Sequence, residues 1–131
     1  MNLVDSSACV EFFRGTDSAA TDAVRVAVAT ETIAVTEPIV MELLAGRVNV
    51  HQRRATRNFL DGAHVVQVGG MATWEHAAAI YGACASGGTT IRSQLDCLIA
   101  AVAIREGLPV LHCDRDFDEI AKHTPLRIAP V

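Results

Sequence analysis

No two of the four cysteines (Cys9, Cys84, Cys97 and Cys113) stand in a C-x-x-C spacing, and no Cys/His pattern matches a zinc site. A zinc-stapled fold is thereby excluded. The cysteines read as small buried apolar residues of a reducing, cytoplasmic protein. No apolar run approaches the ~20 residues of a membrane-spanning helix, so no membrane partner is expected. The opening "MNLVDSSACVEFF" lacks a basic n-region and carries an acid at position 5, which excludes a signal peptide. It reads as the first strand of the fold. Repeats, low-complexity tracts and linkers are also missing from the 131 residues, so a single domain over 1–131 is expected. Lysine is nearly absent: Lys122 stands alone against ten arginines. The net charge of −4 argues against an ordinary basic nucleic-acid binder, although Arg is the cation suited to bidentate phosphate contacts. The five histidines (His51, His64, His76, His112, His123) show no metal-ligand spacing, and none is a convincing general base.

What is present is ample apolar surface: half of the residues are hydrophobic and the mean hydropathy is +0.28. Its distribution alternates between strand and helix patterns. Strands are predicted over 2–5, 32–36, 64–68 and 109–113, with "LRIAPV" (126–131) as a final edge strand. Helices are predicted over 6–15, 17–30, 37–46, 50–61, 72–86, 91–106 and 116–123. Ser6 or Ser7 reads as the N-cap of the first and Gly15 as its stop. Pro38 falls in the first turn of the third, with Gly46 past its end. The helix over 91–106 shows one stripe of Leu95, Leu98, Ile99, Val102 and Ala103. This alternation means an α/β domain with a mostly parallel, twisted sheet of four or five strands flanked by helices.

The stretch "VLHCDRDFDEI" (110–120) then stands out, because an apolar run opens into Asp114, Asp116 and Asp118. Three acids so close repel one another unless a positive charge or open water lies between them. In parallel sheets the working crevice lies beyond the carboxyl ends of the strands. Asp5 falls at the end of the first strand and Asp114 just past the fourth. If those strands are neighbours, two carboxylates meet on one rim. Two more acids, Glu42 and Asp96, interrupt otherwise apolar helices, where a lone carboxylate is costly to bury. Asp96 has two readings of equal weight: a functional acid, or the partner of Arg92 in an i,i+4 ion pair on a solvated face. Hard oxygen ligands around one crevice suit Mg²⁺ or Mn²⁺.

These stretches resemble the PIN-domain ribonucleases, and among them the VapC-type toxins of bacterial toxin–antitoxin pairs. The resemblance runs through "LVDSSACVEFF", "VTEPIVMELLAG" and "DCLIAAVAIREGLPVLHCDRDFDEIA", and so covers nearly the whole chain. It implies a PIN-like fold with the first and fourth strands adjacent. It also implies an acidic site at Asp5, Glu42, Asp96 and Asp114, with Asp116 as a fifth acid and Ser7 as the supporting hydroxyl. Asp5, Asp96, Asp114 and Asp116 would serve as metal ligands. Asp118 falls outside the pattern and reads as a solvated residue of the last helix. Glu37 rivals Glu42, but beside Pro38 it reads as helix-entry chemistry. The implied activity is a Mg²⁺- or Mn²⁺-dependent endoribonuclease whose metal polarises the scissile phosphate and activates water. The implied partners are RNA, a cognate antitoxin protein and a second copy in a homodimer, within a larger complex.

The arginines Arg47, Arg53, Arg54 and Arg57 read as a solvated helix face, or alternatively as a phosphate-contacting patch for RNA. Without the five site acids, the 15 acidic residues become 10 against 11 basic ones, a remainder of +1. Trp74 and Tyr81, seven residues apart on one helix, read as core or dimer packing rather than base stacking. Two other classes are weighed. A haloacid-dehalogenase-type phosphatase wants Asp-x-Asp at the first strand, where Asp5 is instead followed by Ser6 and Ser7. A non-catalytic PIN-fold interaction module would have no need of all four core acids.

Overall fold

The computed structural model of the chain describes residues 1–46 and 50–131. Along it run β1 (Asn2–Val4), α1 (Ser6–Arg14), α2 (Ala19–Ala29), β2 (Ile33–Thr36), α3 (Glu37–Ala45) and α4 (Val50–Asp61). Then come β3 (His64–Val66), α5 (Met71–Ser86), α6 (Gln94–Glu106), β4 (Val110–Leu111) and α7 (Arg115–His123). The strands form one sheet in the order β3-β2-β1-β4, and every pairing is parallel. Leu3 pairs with Ala34 on one side and Val110 on the other, so β1 lies inside the sheet with β4 beside it. Parallel strands covered on both faces read as continuous apolar runs, and all four residues of β2 are buried. The expected fifth strand shrinks to one parallel bridge, Val110 to Ile128, beyond β4. No helix among the described residues is long and apolar enough to cross a membrane.

Two local expectations are corrected by the structure. The N-cap of α1 is Asp5, not Ser6 or Ser7: its carboxylate accepts from the Ser7 N–H at 3.0 Å. The stripe on α6 widens to the full circumference, with every residue from Asp96 to Ala103 buried. The helix is buried all round because α3, α5 and α7 all pack against it. Of the two packings read for Trp74, core or dimer, it does not take the first: it stands 52% exposed on α5. Elsewhere the core is ordinary. Phe59 of α4 meets Phe13 of α1 edge-on at 5.5 Å, which ties those two helices together.

The path from α6 into β4 is set by Gly107. It caps α6 at φ 67° and donates its N–H to Ala103 and Ile104. A side chain in this left-handed conformation is strained by about 1–2 kcal/mol. Gly107→Ala is therefore expected to lower the free energy of unfolding by that amount, which urea titration would measure. An unchanged midpoint would show that the turn adapts.

Candidate metal centre

Asp5 leaves the carboxyl end of β1 and is only 3% exposed. Its Oδ2 accepts from the Ser7 N–H and, at 2.6 Å, from the Ser7 hydroxyl. The same Ser7 oxygen accepts from the Cys113 N–H at 2.9 Å. Ser7 thus fastens the first acid to the loop that follows β4. The Asp5 N–H meanwhile donates to Leu111 in β4 itself. These bonds bring residues 5 and 114 to one rim, which is the arrangement the strand order requires. Cys113, read as buried, is instead exposed at this rim, whereas Cys9, Cys84 and Cys97 are buried; all four are free.

Asp114 is the N-cap of α7 and accepts from the Asp116 N–H at 3.0 Å. Asp116 points inward and is 5% exposed. Asp96, in the first turn of α6, is 7% exposed. One oxygen from each of Asp96, Asp114 and Asp116 lies within 4.8 Å of the others. Asp5 stands outside this tight trio, but its charge reaches Asp96 and Glu42. Glu42 is exposed on α3 and accepts from the Ser6 hydroxyl at 3.2 Å. Glu37 turns away to serve the fold. It accepts from the Val68 N–H at 2.8 Å and from the Thr36 hydroxyl, joining the start of α3 to the chain beyond β3. Asp118 is also spent locally, paired with the His112 ring at 3.1 Å.

The electrostatics of the centre follow from this crowding. Desolvation, then the charges of Asp5, Asp114, Asp116 and Glu42, push the Asp96 carboxyl up to about 8. Burial also raises Asp5, against the Ser7 hydrogen bonds that favour its charged form. Desolvation and the neighbouring Asp5 raise Glu42. Glu37 goes the other way: desolvation is outweighed by hydrogen bonds from its own backbone, Val68 and Thr36.

Arg92 answers the repulsion. Of the two readings of Asp96, the i,i+4 pair with Arg92 is the one that fails, because α6 begins only at Gln94, after the N-cap Ser93. Arg92 therefore precedes the helix and reaches Asp114 at 3.0 Å and Asp116 at 3.2 Å. Its backbone N–H also donates to Asp116. The missed signal was the Ser93-x-x-Asp96 spacing, a pattern that marks a helix start. Arg92 makes its ion pairs with Asp114 and Asp116 rather than with Asp96. The Asp96 Oδ2 is buried and has no hydrogen-bond partner among the described residues.

A buried carboxylate oxygen without a partner is rare and costly. Set among other carboxylates on one rim, it fits a hard divalent cation, which takes oxygen ligands. Arg53, Arg54 and Arg57 are exposed on α4, where Arg53 and Arg57 line a small cavity with Leu44 and Thr56. Arg47 lies outside the described residues.

A parallel sheet in this order, with carboxylates converging at the ends of two adjacent strands, defines a class. The chain belongs to the PIN-domain family, whose model matches residues 3–123. Within it the chain is 42% identical to the VapC ribonuclease Mb1587 of Mycobacterium bovis, over 131 residues and 98% of each chain. The identity and coverage are the same for ribonuclease VapC11 of Mycobacterium tuberculosis. The fold is also that of VapBC2 from Rickettsia felis, solved bound to a fragment of promoter DNA. There the TM-score is 0.75 at 17% identity, covering 98% of this chain and 96% of that one. DNA-bound VapBC from Salmonella typhimurium matches with a TM-score of 0.70 at 15% identity, over 98% of both chains.

Proposed function

We propose that the chain is a VapC-type ribonuclease, the toxin of a toxin–antitoxin pair, and that its cleavage of RNA depends on Mg²⁺ or Mn²⁺. The observation that carries the metal dependence is the partnerless, buried Oδ2 of Asp96 among the carboxylates of Asp114 and Asp116. Asp96, Asp114 and Asp116 would hold the ion, with Asp5 and Glu42 completing the acidic rim. When bound, the ion polarises a phosphodiester and lowers the pKa of water. Ser7 holds the Asp5 carboxylate in one rotamer, and Arg92 keeps Asp114 and Asp116 together before any cation arrives.

The ribonuclease reading draws on the 42% identity to VapC ribonucleases. An antitoxin partner draws on the VapBC assemblies that share the fold. A homodimer, a cytoplasmic setting and phosphate contacts from Arg53, Arg54 and Arg57 belong to the same proposal. RNA incubated with the purified chain and Mn²⁺ should be cut, leaving ends that carry 5′-phosphates. EDTA should stop the reaction, and added Mn²⁺ should restore it. Cleavage undiminished in EDTA would overturn the metal dependence.

Arg92 gives a second readout. Without its guanidinium, the metal-free acids repel without an internal counter-charge. Arg92→Gln is expected to melt lower than the parent in EDTA and to gain more from Mn²⁺. Equal melts in both buffers would show that Arg92 does not stabilise the empty centre.

A further inference from the structure

We infer that the cavity between α5 and the start of α6 is a nucleotide subsite, in which an unpaired base of the RNA stacks on Trp74 while its phosphate meets Arg92. This rests on the ribonuclease reading above and names how the substrate would be gripped.

The cavity encloses about 580 Å³ and is lined by Trp74, Ala78, Tyr81, Arg92, Gln94 and Leu98, among others. That lies within the roughly 300–1,000 Å³ of small-ligand sites. Ala77 and Ala78 sit between the two aromatic residues, and their small side chains leave the space between Trp74 and Tyr81 open. Trp74 is 52% exposed, although it is among the largest apolar side chains of the protein. Flat aromatic faces are the usual platform for unpaired bases and accept any of the four. Ser93 and Gln94 add polar groups at the wall that could meet a base edge.

The decisive residue is Arg92, because it belongs to both places. Its guanidinium holds Asp114 and Asp116, and the residue is also one of those that line the cavity. The cavity and the acidic centre therefore share a border, and that border carries a positive charge. An RNA strand approaching five acids alone would be repelled, whereas a guanidinium beside them offers a phosphate its contact. The cavity needs both a π-face and a cation at one edge, and a nucleotide supplies the complement to both. Another copy of this chain, the other candidate occupant, would cover Trp74 but has no need of Arg92.

Trp74 is the only tryptophan in the protein, so its fluorescence reports on this site alone. The probe is a ten-nucleotide, unstructured RNA, with the same oligonucleotide bearing abasic riboses as its control. It is titrated in Mg²⁺ into the chain carrying Asp5→Asn, which holds the RNA uncut. Saturable quenching by the RNA, and far less by the abasic control, is the expected result. In the otherwise unaltered enzyme, Trp74→Ala should raise KM roughly tenfold with kcat within about twofold. Trp74→Phe, which keeps a π-face, should restore most of the loss. If the enzyme cuts RNA but shows neither quenching nor a KM change, the subsite is wrong and the ribonuclease reading stands. If no RNA is cut in Mg²⁺ or Mn²⁺, it is that reading which fails. Emission that follows protein concentration rather than RNA, with Trp74→Ala sedimenting as a smaller species, would assign the cavity to a second copy and overturn the proposal.

Discussion

Asp96→Asn is expected to abolish RNA cleavage and yet raise the melting temperature of the metal-free chain. The centre places Asp96 in the least favourable position of the five acids, buried, without a partner for Oδ2 and with its carboxyl pushed up to about 8. A raised carboxyl pKa means that the folded chain binds this proton more readily than the unfolded one. Below the unfolded value near 4 both states are protonated and there is no penalty. From there to about 8 the parent loses stability with each pH unit, with a slope of at most one proton. Above about 8 the loss is complete and the slope vanishes. Asparagine removes the titration, so in EDTA the variant's advantage should widen from pH 5 to pH 8 and then level. At neutral pH a gain of about 1–3 kcal/mol is expected from relieving an unsatisfied buried group. For a domain of this size that is roughly 3–6 °C per kcal/mol. The stabilisation by Mn²⁺ should flatten in the variant. A variant that melts lower than the parent across this range, and gains as much from Mn²⁺, would make Asp96 a structural residue and withdraw it from the centre.

Asp5 should behave differently, because it is both a member of the rim and the N-cap of α1. Asp5→Asn keeps an oxygen for the Ser7 N–H, since asparagine caps helices as well as aspartate. Cleavage should fall to background while the helix stays capped. Asp5→Ala loses the charge and the cap together. It should be equally inactive, and less stable than Asp5→Asn by about 1 kcal/mol. Thermal melts of the two variants in EDTA isolate the capping contribution, and a cleavage assay isolates the charge. Should Asp5→Asn cut RNA at the parent rate, the residue is a cap and nothing more.

Much of this was readable from the chain before any coordinates. The alternation of β-branched runs with helical patterns gave the parallel sheet, but that Asp5 and Asp114 meet on one rim was conditional on the first and fourth strands being neighbours, which only the family resemblance supplied. What escaped the reading has physical causes. Aspartate is both a helix cap and a metal ligand, and the pattern D-S-S offers three capping side chains in a row. The choice among them depends on where Ser7 points, and Ser7 is held by the Cys113 N–H more than a hundred residues away. The ion-pair alternative for Asp96 fails because i,i+4 spacing holds only inside a helix, and α6 starts after Arg92. The burial of α6 on every side was hidden because a stripe of large residues marks one face. The alanines between them pack as tightly on the others. The core alternative for Trp74 fails for the opposite reason: an aromatic residue in an apolar helix looks like core unless its neighbours leave a cavity.

The order of the strands also sets when the centre can exist. Residue 5 is synthesised before Asp96, Asp114 and Asp116, each of which follows it by more than ninety residues. β1 is inside the sheet, and β4, the strand that leads to Asp114, is made after every other named strand. Contacts between such distant segments close late, because the loop between them has to be ordered first. On the proposed function, a growing polypeptide on the ribosome, or a fragment ending before residue 114, would have no complete nuclease centre. Synthesis would then carry its own delay: the proposed centre is whole only once translation has passed Asp116 and the late strand has docked beside the early one.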